Sequence, residues 1–186
     1  MPLEPVQREA LLKVARRVIE ASVKGEAIPT FDSKDLDFQA KRGAFVTIKN
    51  GDRLRGCIGH FEADKPLIEA VCEMARAATR DPRFIYQPLT PRELPQCDIE
   101  ISVLTPREKT DDPGSLELGK HGIYIQGPSG QAGCFLPQVA VETGWSKGEF
   151  LGNCCSHKAG LAPDAWKNPD TDVYLFEAEI FGEKGD

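Results

Sequence analysis

No run of apolar residues in this sequence approaches the roughly 18 that a membrane-spanning helix needs, so the chain is not expected to cross a membrane. Its first twenty residues mix charges with aliphatic side chains and lack the uninterrupted apolar core and small-residue cleavage site of a secretory signal. A cytoplasmic location is therefore expected. Positive charge is not in excess. Lys and Arg number 23 against 29 Asp and Glu, a net charge of −6, which argues against coating nucleic acid, where phosphate neutralisation supplies most of the affinity. Neither a P-loop nor a Gly-x-Gly-x-x-Gly dinucleotide motif occurs, and no cofactor is expected. Imidazoles are scarce: His60, His121 and His157 are the three available.

What is present is ordinary for a soluble globular protein of 186 residues: 40% apolar and 28% charged. Six cysteines would allow three disulfides, but Cys154 and Cys155 are adjacent and Cys72 falls on a helical apolar stripe. Reduced thiols fit that pattern better.

Pro5 opens a helix with Leu11, Val14, Ala15, Val18 and Ile19 on one stripe, and Gly25 suits its C-terminal cap. Residues 44–49, an Asn50-Gly51 turn and residues 53–58 read as a β-hairpin. Asp64 and Pro66 begin a second helix, with Leu67, Ile68, Val71, Cys72, Ala75 and Ala78 inward, stopped by Asp81-Pro82. Cys97, Ile99, Ile101 and Val103 alternate with polar residues, the mark of a half-buried strand whose second face carries Glu100. The same order recurs: a strand over 122–126, a Gly-Pro-Ser-Gly turn, a strand over 131–136, helical sequence opened by the capping box Ser146-Lys147-Gly148-Glu149, and a strand over 172–181. The fold expected is α+β, a single domain of two related β-β-α-β halves (about 1–110 and 111–186) with no flexible linker. They share a largely antiparallel sheet, and an extra helix precedes them. Gly56-Cys57-Ile58 and Gly133-Cys134-Phe135 fall at matching places in the two hairpins.

Leu54-Arg55-Gly56-Cys57-Ile58-Gly59, following a Gly-Ala-Phe-Val-Thr strand, resembles the signature of the AMMECR domain family. Further segments agree along nearly the whole chain: Ala77-Ala78-x-x-Asp81-Pro82-Arg83-Phe84, the strand 99–104, Leu116-Glu117-Leu118-Gly119-Lys120-His121-Gly122, Leu136-Pro137-Gln138-Val139-Ala140 and the stretch 158–166. The resemblance implies a single α+β domain of two related halves. Microbial members resemble protein A of the AmmeMemoRadiSam system, encoded beside a Memo-type protein and a radical S-adenosylmethionine protein, so partners are implied rather than a reaction. Cys134 and the stretch Asn153-Cys154-Cys155-Ser156-His157 depart from the family's usual pattern.

Arg55 and Cys57 are two apart on a predicted strand, so both leave one face, where a guanidinium would favour the thiolate of a nucleophilic cysteine. Gly56 and Gly59 would admit a ligand close to the backbone; the plainer alternative is a bulge or bend, with Cys57 filling the core. His121 is the preferred base, with Glu100 orienting it or acting itself; the alternatives are a backbone-bonded turn histidine and a solvated carboxylate. Arg76, Arg80 and Arg83, with Arg53 and Arg55, suggest an anion pocket for a carboxylate or phosphate on a small molecule or protein, unless Asp81 occupies one guanidinium structurally. Cys57-x-x-His60 and Cys154-Cys155-x-His157 fit zinc spacing poorly, and no metal is expected. Two functions remain open: a catalytic or substrate-processing component acting through Cys57, with Arg55, Gly56, Gly59, Arg80 and Arg83 holding substrate, or a non-catalytic module docking Memo-type and radical S-adenosylmethionine partners.

Overall fold

The computed structural model describes residues 2–184 and has an α+β fold built on antiparallel strands, in two compact units. Residues 2–104 and 179–184 form the first, residues 105–178 the second. Among the described residues no helix is long and apolar enough to cross a membrane.

The first unit begins with helix α1 (Pro5–Lys24), whose first turn is closed by the Glu4 N–H donating to Gln7 Oε1 at 2.8 Å and whose last is closed by Gly25 at φ 71°. The left-handed cap is where a residue without Cβ costs least. A short helix α2 (Leu36–Gln39) leads into β1 (Ala44–Asn50) and β2 (Arg53–His60), then α3 (Leu67–Ala78) and β3 (Cys97–Leu104). β1 lies between β2 and β3, and Ala44, Val46 and Ile48 register with Val103, Ile101 and Ile99. These apolar rows are buried under α1 and α3, which contribute Leu11, Ala15, Val18 and Ile19 and Leu67, Ile68, Val71 and Ala75; Cys72 packs half-buried at their margin. Truncating one such leucine, Leu67 for instance, removes about 2–5 kcal/mol by lost burial and the cavity left behind. The hairpin turn sits one residue later than expected: Asn50 still pairs with Arg53, and Gly51, at φ 57°, supplies the only positive φ of the turn. Asn50 is held in the ladder, so the left-handed conformation falls to Gly51, which adopts it at no steric cost.

The second unit contains the short β4 (Glu108–Lys109), the hairpin β5 (His121–Gln126) and β6 (Ala132–Phe135), helices α4 (Pro137–Thr143) and α5 (Lys147–Asn153), and β7 (Asp172–Gly182), whose last residues return to the first unit beside β3. β5 lies between β6 and β7, and β4 pairs with the other side of β7. Ile123, Ile125 and Val173 face Phe150, Leu151 and Cys154, with Phe135 stacked on Phe150 at 5.5 Å. The capping box at Ser146 is formed, its hydroxyl accepting from Glu149 and the Glu149 carboxylate accepting from the Ser146 N–H. The helix does not end where α5 does. Residues Cys154–Ala159 continue it as one π-helical turn, closed by Gly160 at φ 66°. A wider turn accommodates an extra residue without breaking the helix, and Cys154 and Cys155 both lie in the core there.

Candidate functional site

Strand β2 carries the Leu-Arg-Gly-Cys-Ile-Gly segment and is not regular. Val46 faces Ile58, Thr47 faces Cys57 and Ile48 faces Gly56, but the next residue of β1, Lys49, faces Leu54, leaving Arg55 as an extra residue. Such a bulge interrupts alternation, so the two-residue spacing that would bring Arg55 and Cys57 to a common face does not do so. Arg55 is instead 4% exposed, and its Nε and Nη2 donate to the Glu93 carboxylate at 3.0 and 3.2 Å. Nη2 also donates to the carbonyls of Gln87 and Pro88 at 3.0 and 3.3 Å. Burial disfavours the Glu93 carboxylate, but Arg55 and the Thr90 hydrogen bonds outweigh it and hold its pKa below the usual range. This pair fastens the loop that follows α3.

The spaces beside the two glycines are filled by the protein itself. A methyl group at Gly56 would collide with the Ala78 carbonyl at the end of α3, and one at Gly59 with the ring of Phe45, which packs edge-on against Phe61 at 5.0 Å.

Cys57 is half-buried, and its sulfur accepts a hydrogen bond from the Thr47 hydroxyl at 3.3 Å. Its backbone is gripped from the side away from β1: the N–H donates to Asp81 Oδ2 at 2.9 Å and the carbonyl accepts from Arg83 Nη2 at 3.0 Å. Asp81, 3% exposed, also accepts from the Arg83 backbone N–H at 3.0 Å and from its guanidinium at 2.6 Å. Burial alone would raise the Asp81 carboxyl; the hydrogen bonds from Arg83 and from the Cys57 N–H, together with the Arg83 charge, bring it down to about 2. Arg83 is raised in turn, first by its hydrogen bond to Asp81 and to a lesser degree by the Cys57 side chain. The cation beside Cys57 is therefore Arg83, its side chain 55% exposed, and not Arg55.

Glu100 shares a row with this thiol: Cys57 faces Thr47, and Thr47 faces Glu100 on the next strand. Two strand spacings put the two Cα atoms about 10 Å apart, too far for direct contact, and Glu100 pairs with Lys49 at 3.4 Å. Arg80 is exposed and forms no ion pair among the described residues. His121 belongs to the second unit, where its Nδ1 accepts from the Glu117 N–H at 3.0 Å and its Nε2 lies 3.9 Å from Glu177. With the Nδ1 lone pair occupied, the neutral ring carries its proton on Nε2 and acts as a donor, not as a base. His121 borders a cavity of about 460 Å³ also lined by Thr105, Lys109, Phe176 and Glu177.

Of the six cysteines, four are poor nucleophiles. Burial pushes the Cys72 thiol up to about 11 and raises those of Cys97, Cys154 and Cys155. No group of three or more His, Cys, Asp and Glu able to hold a metal ion occurs among the described residues. Sequence reasoning missed Thr47 and Glu93 entirely. Asp81-Pro82 was visible as a helix stop, and the Arg-Gly dipeptide inside a strand was the one available sign of a bulge.

The model of the AMMECR1 family matches residues 12–181. A protein of Methanothermobacter thermautotrophicus is 45% identical, the match covering 99% of this chain and 98% of that one. A protein of Methanopyrus kandleri is 44% identical over 95% of this chain and 88% of its own length. Among solved structures, the crystal structure of an uncharacterized protein from Pyrococcus horikoshii superimposes with a TM-score of 0.89 at 38% identity, covering 98% of this chain and 94% of that one.

Proposed function

The chain belongs to the AMMECR1 family, and on that premise we propose that it acts through Cys57 as a nucleophile or covalent carrier in a cytoplasmic substrate-processing step. The observation that carries this reading is the Cys57 thiol, half-buried, held by the Thr47 hydroxyl and adjacent to the partly exposed Arg83 guanidinium. Thr47 fixes the direction of the sulfur lone pairs. Arg83, whose charge Asp81 only partly occupies, offers donors to an anionic group of the substrate. Arg80 extends the positive surface towards α3, while Arg55, Gly56 and Gly59 hold the strand in shape. Glu100, one strand beyond Thr47, reaches a bound substrate rather than the thiol. The test is the alkylation rate of each cysteine against pH, read by peptide mass spectrometry. Cys57 is expected to react well ahead of Cys72, Cys97, Cys154 and Cys155, and to slow several-fold in Arg83→Ala. Equal rates at Cys57 in the wild type and Arg83→Ala would remove the reading.

A second reading, a non-catalytic module that docks Memo-type and radical S-adenosylmethionine proteins, is favoured by Ile85 and Tyr86, which stand 69% and 96% exposed just beyond the Asp81-Pro82-Arg83-Phe84 segment. Complex formation that survives Cys57→Ser with cellular function intact would select it.

A further inference from the structure

Ile85 and Tyr86 stand 69% and 96% exposed side by side, and adjoining apolar side chains of this kind often mark an interaction site. Ile85 and Tyr86 are not on a loose loop. Behind them the Gln87 and Pro88 carbonyls are gripped by the buried Arg55, the Gln87 side chain is hydrogen-bonded to Arg53, and ahead of them Asp81 holds the Arg83 backbone. The Phe84 ring lies 5.9 Å from the Arg55 guanidinium and 5.7 Å from that of Arg83. The pair is thus presented in a fixed form, which spares a binding partner the entropy of ordering it.

The charge around this tip runs against that of the whole molecule. Arg76 and Arg80 precede it, Arg92 follows it and Arg53 joins it through Gln87, and none of these four forms an ion pair among the described residues. The nearby acids Asp81 and Glu93 are already committed to Arg83 and Arg55. In a chain of net charge −6, these exposed arginines flank the Ile85–Tyr86 pair in sequence or join it by a hydrogen bond, with only Asp52, beside Arg53, as a further exposed acid in the turn. Tyrosine and arginine are the residues that most often dominate binding energy at protein interfaces. The isoleucine and the overall negative charge favour a protein over a nucleic acid, whose phosphates the rest of the surface would repel.

We propose that the Ile85–Tyr86 tip, with Arg53, Arg80 and Arg92, docks an acidic segment of a partner protein that also carries an apolar anchor residue. This deepens the docking reading by naming the chemistry of the partner, and it does not require Cys57 to react. The experiment is selection of a phage-displayed random dodecapeptide library on the full chain, followed by fluorescence anisotropy of the enriched peptide. Enrichment of sequences with Asp and Glu around an aromatic or aliphatic residue is expected. Binding should weaken at least tenfold in Tyr86→Ala and in Arg80→Glu, weaken with added salt, and persist in Cys57→Ser. Tyr86 and Arg80 are exposed, so circular dichroism should show both variants folded. Lack of enrichment, a basic consensus, binding indifferent to both variants, or tighter binding of an oligouridylate would overturn the proposal. An uncharged consensus that still depends on Tyr86 would overturn it too, while leaving the docking reading in place.

Discussion

The two hairpins pair alike and diverge at one residue. In the first, Thr47 faces Cys57 and Ile48 faces Gly56; in the second, Tyr124 faces Cys134 and Ile125 faces Gly133. Each glycine touches the end of its own unit's helix, Gly56 at the Ala78 carbonyl and Gly133 at Lys158 and Ala159 of the π turn. The Gly-Cys pair is thus first of all a packing device: the glycine lets a helix end approach, and the next residue turns to the other face. The difference lies one residue earlier. Ala132 stays in register opposite Gln126, whereas Arg55 bulges out and seizes Glu93. That bulge, with the Asp81–Arg83 pair, is what makes the surroundings of Cys57 unlike those of Cys134.

Replacing Arg55 by the alanine of the second hairpin breaks the comparison hardest. Two backbone carbonyls lose their Arg55 donor and Glu93 keeps only its Thr90 hydrogen bonds; loss of one partner of a buried pair costs about 3–5 kcal/mol, here near the lower figure because Glu93 remains partly hydrated. Urea unfolding should show Arg55→Ala destabilised by about 3 kcal/mol; a loss under about 1 kcal/mol would mean the bulge forms without its arginine. Gly56→Ala and Gly133→Ala test the shared device. Both push a methyl group into backbone atoms, and overpacking of this kind costs about 1–3 kcal/mol or more. Similar losses in the two variants are expected, while a loss in only one would end the equivalence of the glycines.

Asp81→Asn separates the units by pH. Because the folded carboxyl titrates near 2, below the unfolded value of about 3.9, its contribution is present above pH 4 and fades as pH falls through 2. The shift corresponds to roughly 2–3 kcal/mol. The wild type should therefore lose more stability than Asp81→Asn between pH 5 and 2.5, with the two converging at the acid end. Parallel acid titrations would show that Asp81 does not hold the loop.

The apolar periods of α1, α3, β3 and β5 were legible because burial selects side chains at helical or alternating spacing, and the Ser146 capping box because its chemistry is local. The duplication could be read from the order of elements and the repeated Gly-Cys. What could not be read depends on residues distant in sequence. Arg55 meets Glu93 nearly forty positions on, and Thr47 reaches Cys57 only because the register is what it is. The alternation rule that assigned Arg55 to the face of Cys57 holds for a regular strand, and β2 is regular on one side of Gly56 only. The π turn was likewise invisible, since adjacent apolar residues also occur in ordinary α-helices, as Val18-Ile19 do in α1. His121 was located by its motif, but the nitrogen that faces outward is settled by a backbone N–H four residues earlier.

β2 is the outermost strand of its unit, and strands in that position ordinarily recruit further strands through their unpaired backbone. Asp81 and Arg83 occupy both backbone groups of Cys57 that face outward, standing in for the neighbour that is missing. At Cys57 the edge is thereby closed to strand addition, by an extended peptide or by a second copy in an aggregate. Loss of the Asp81–Arg83 cover would expose the Cys57 backbone N–H and carbonyl and turn a capped edge into an adhesive one.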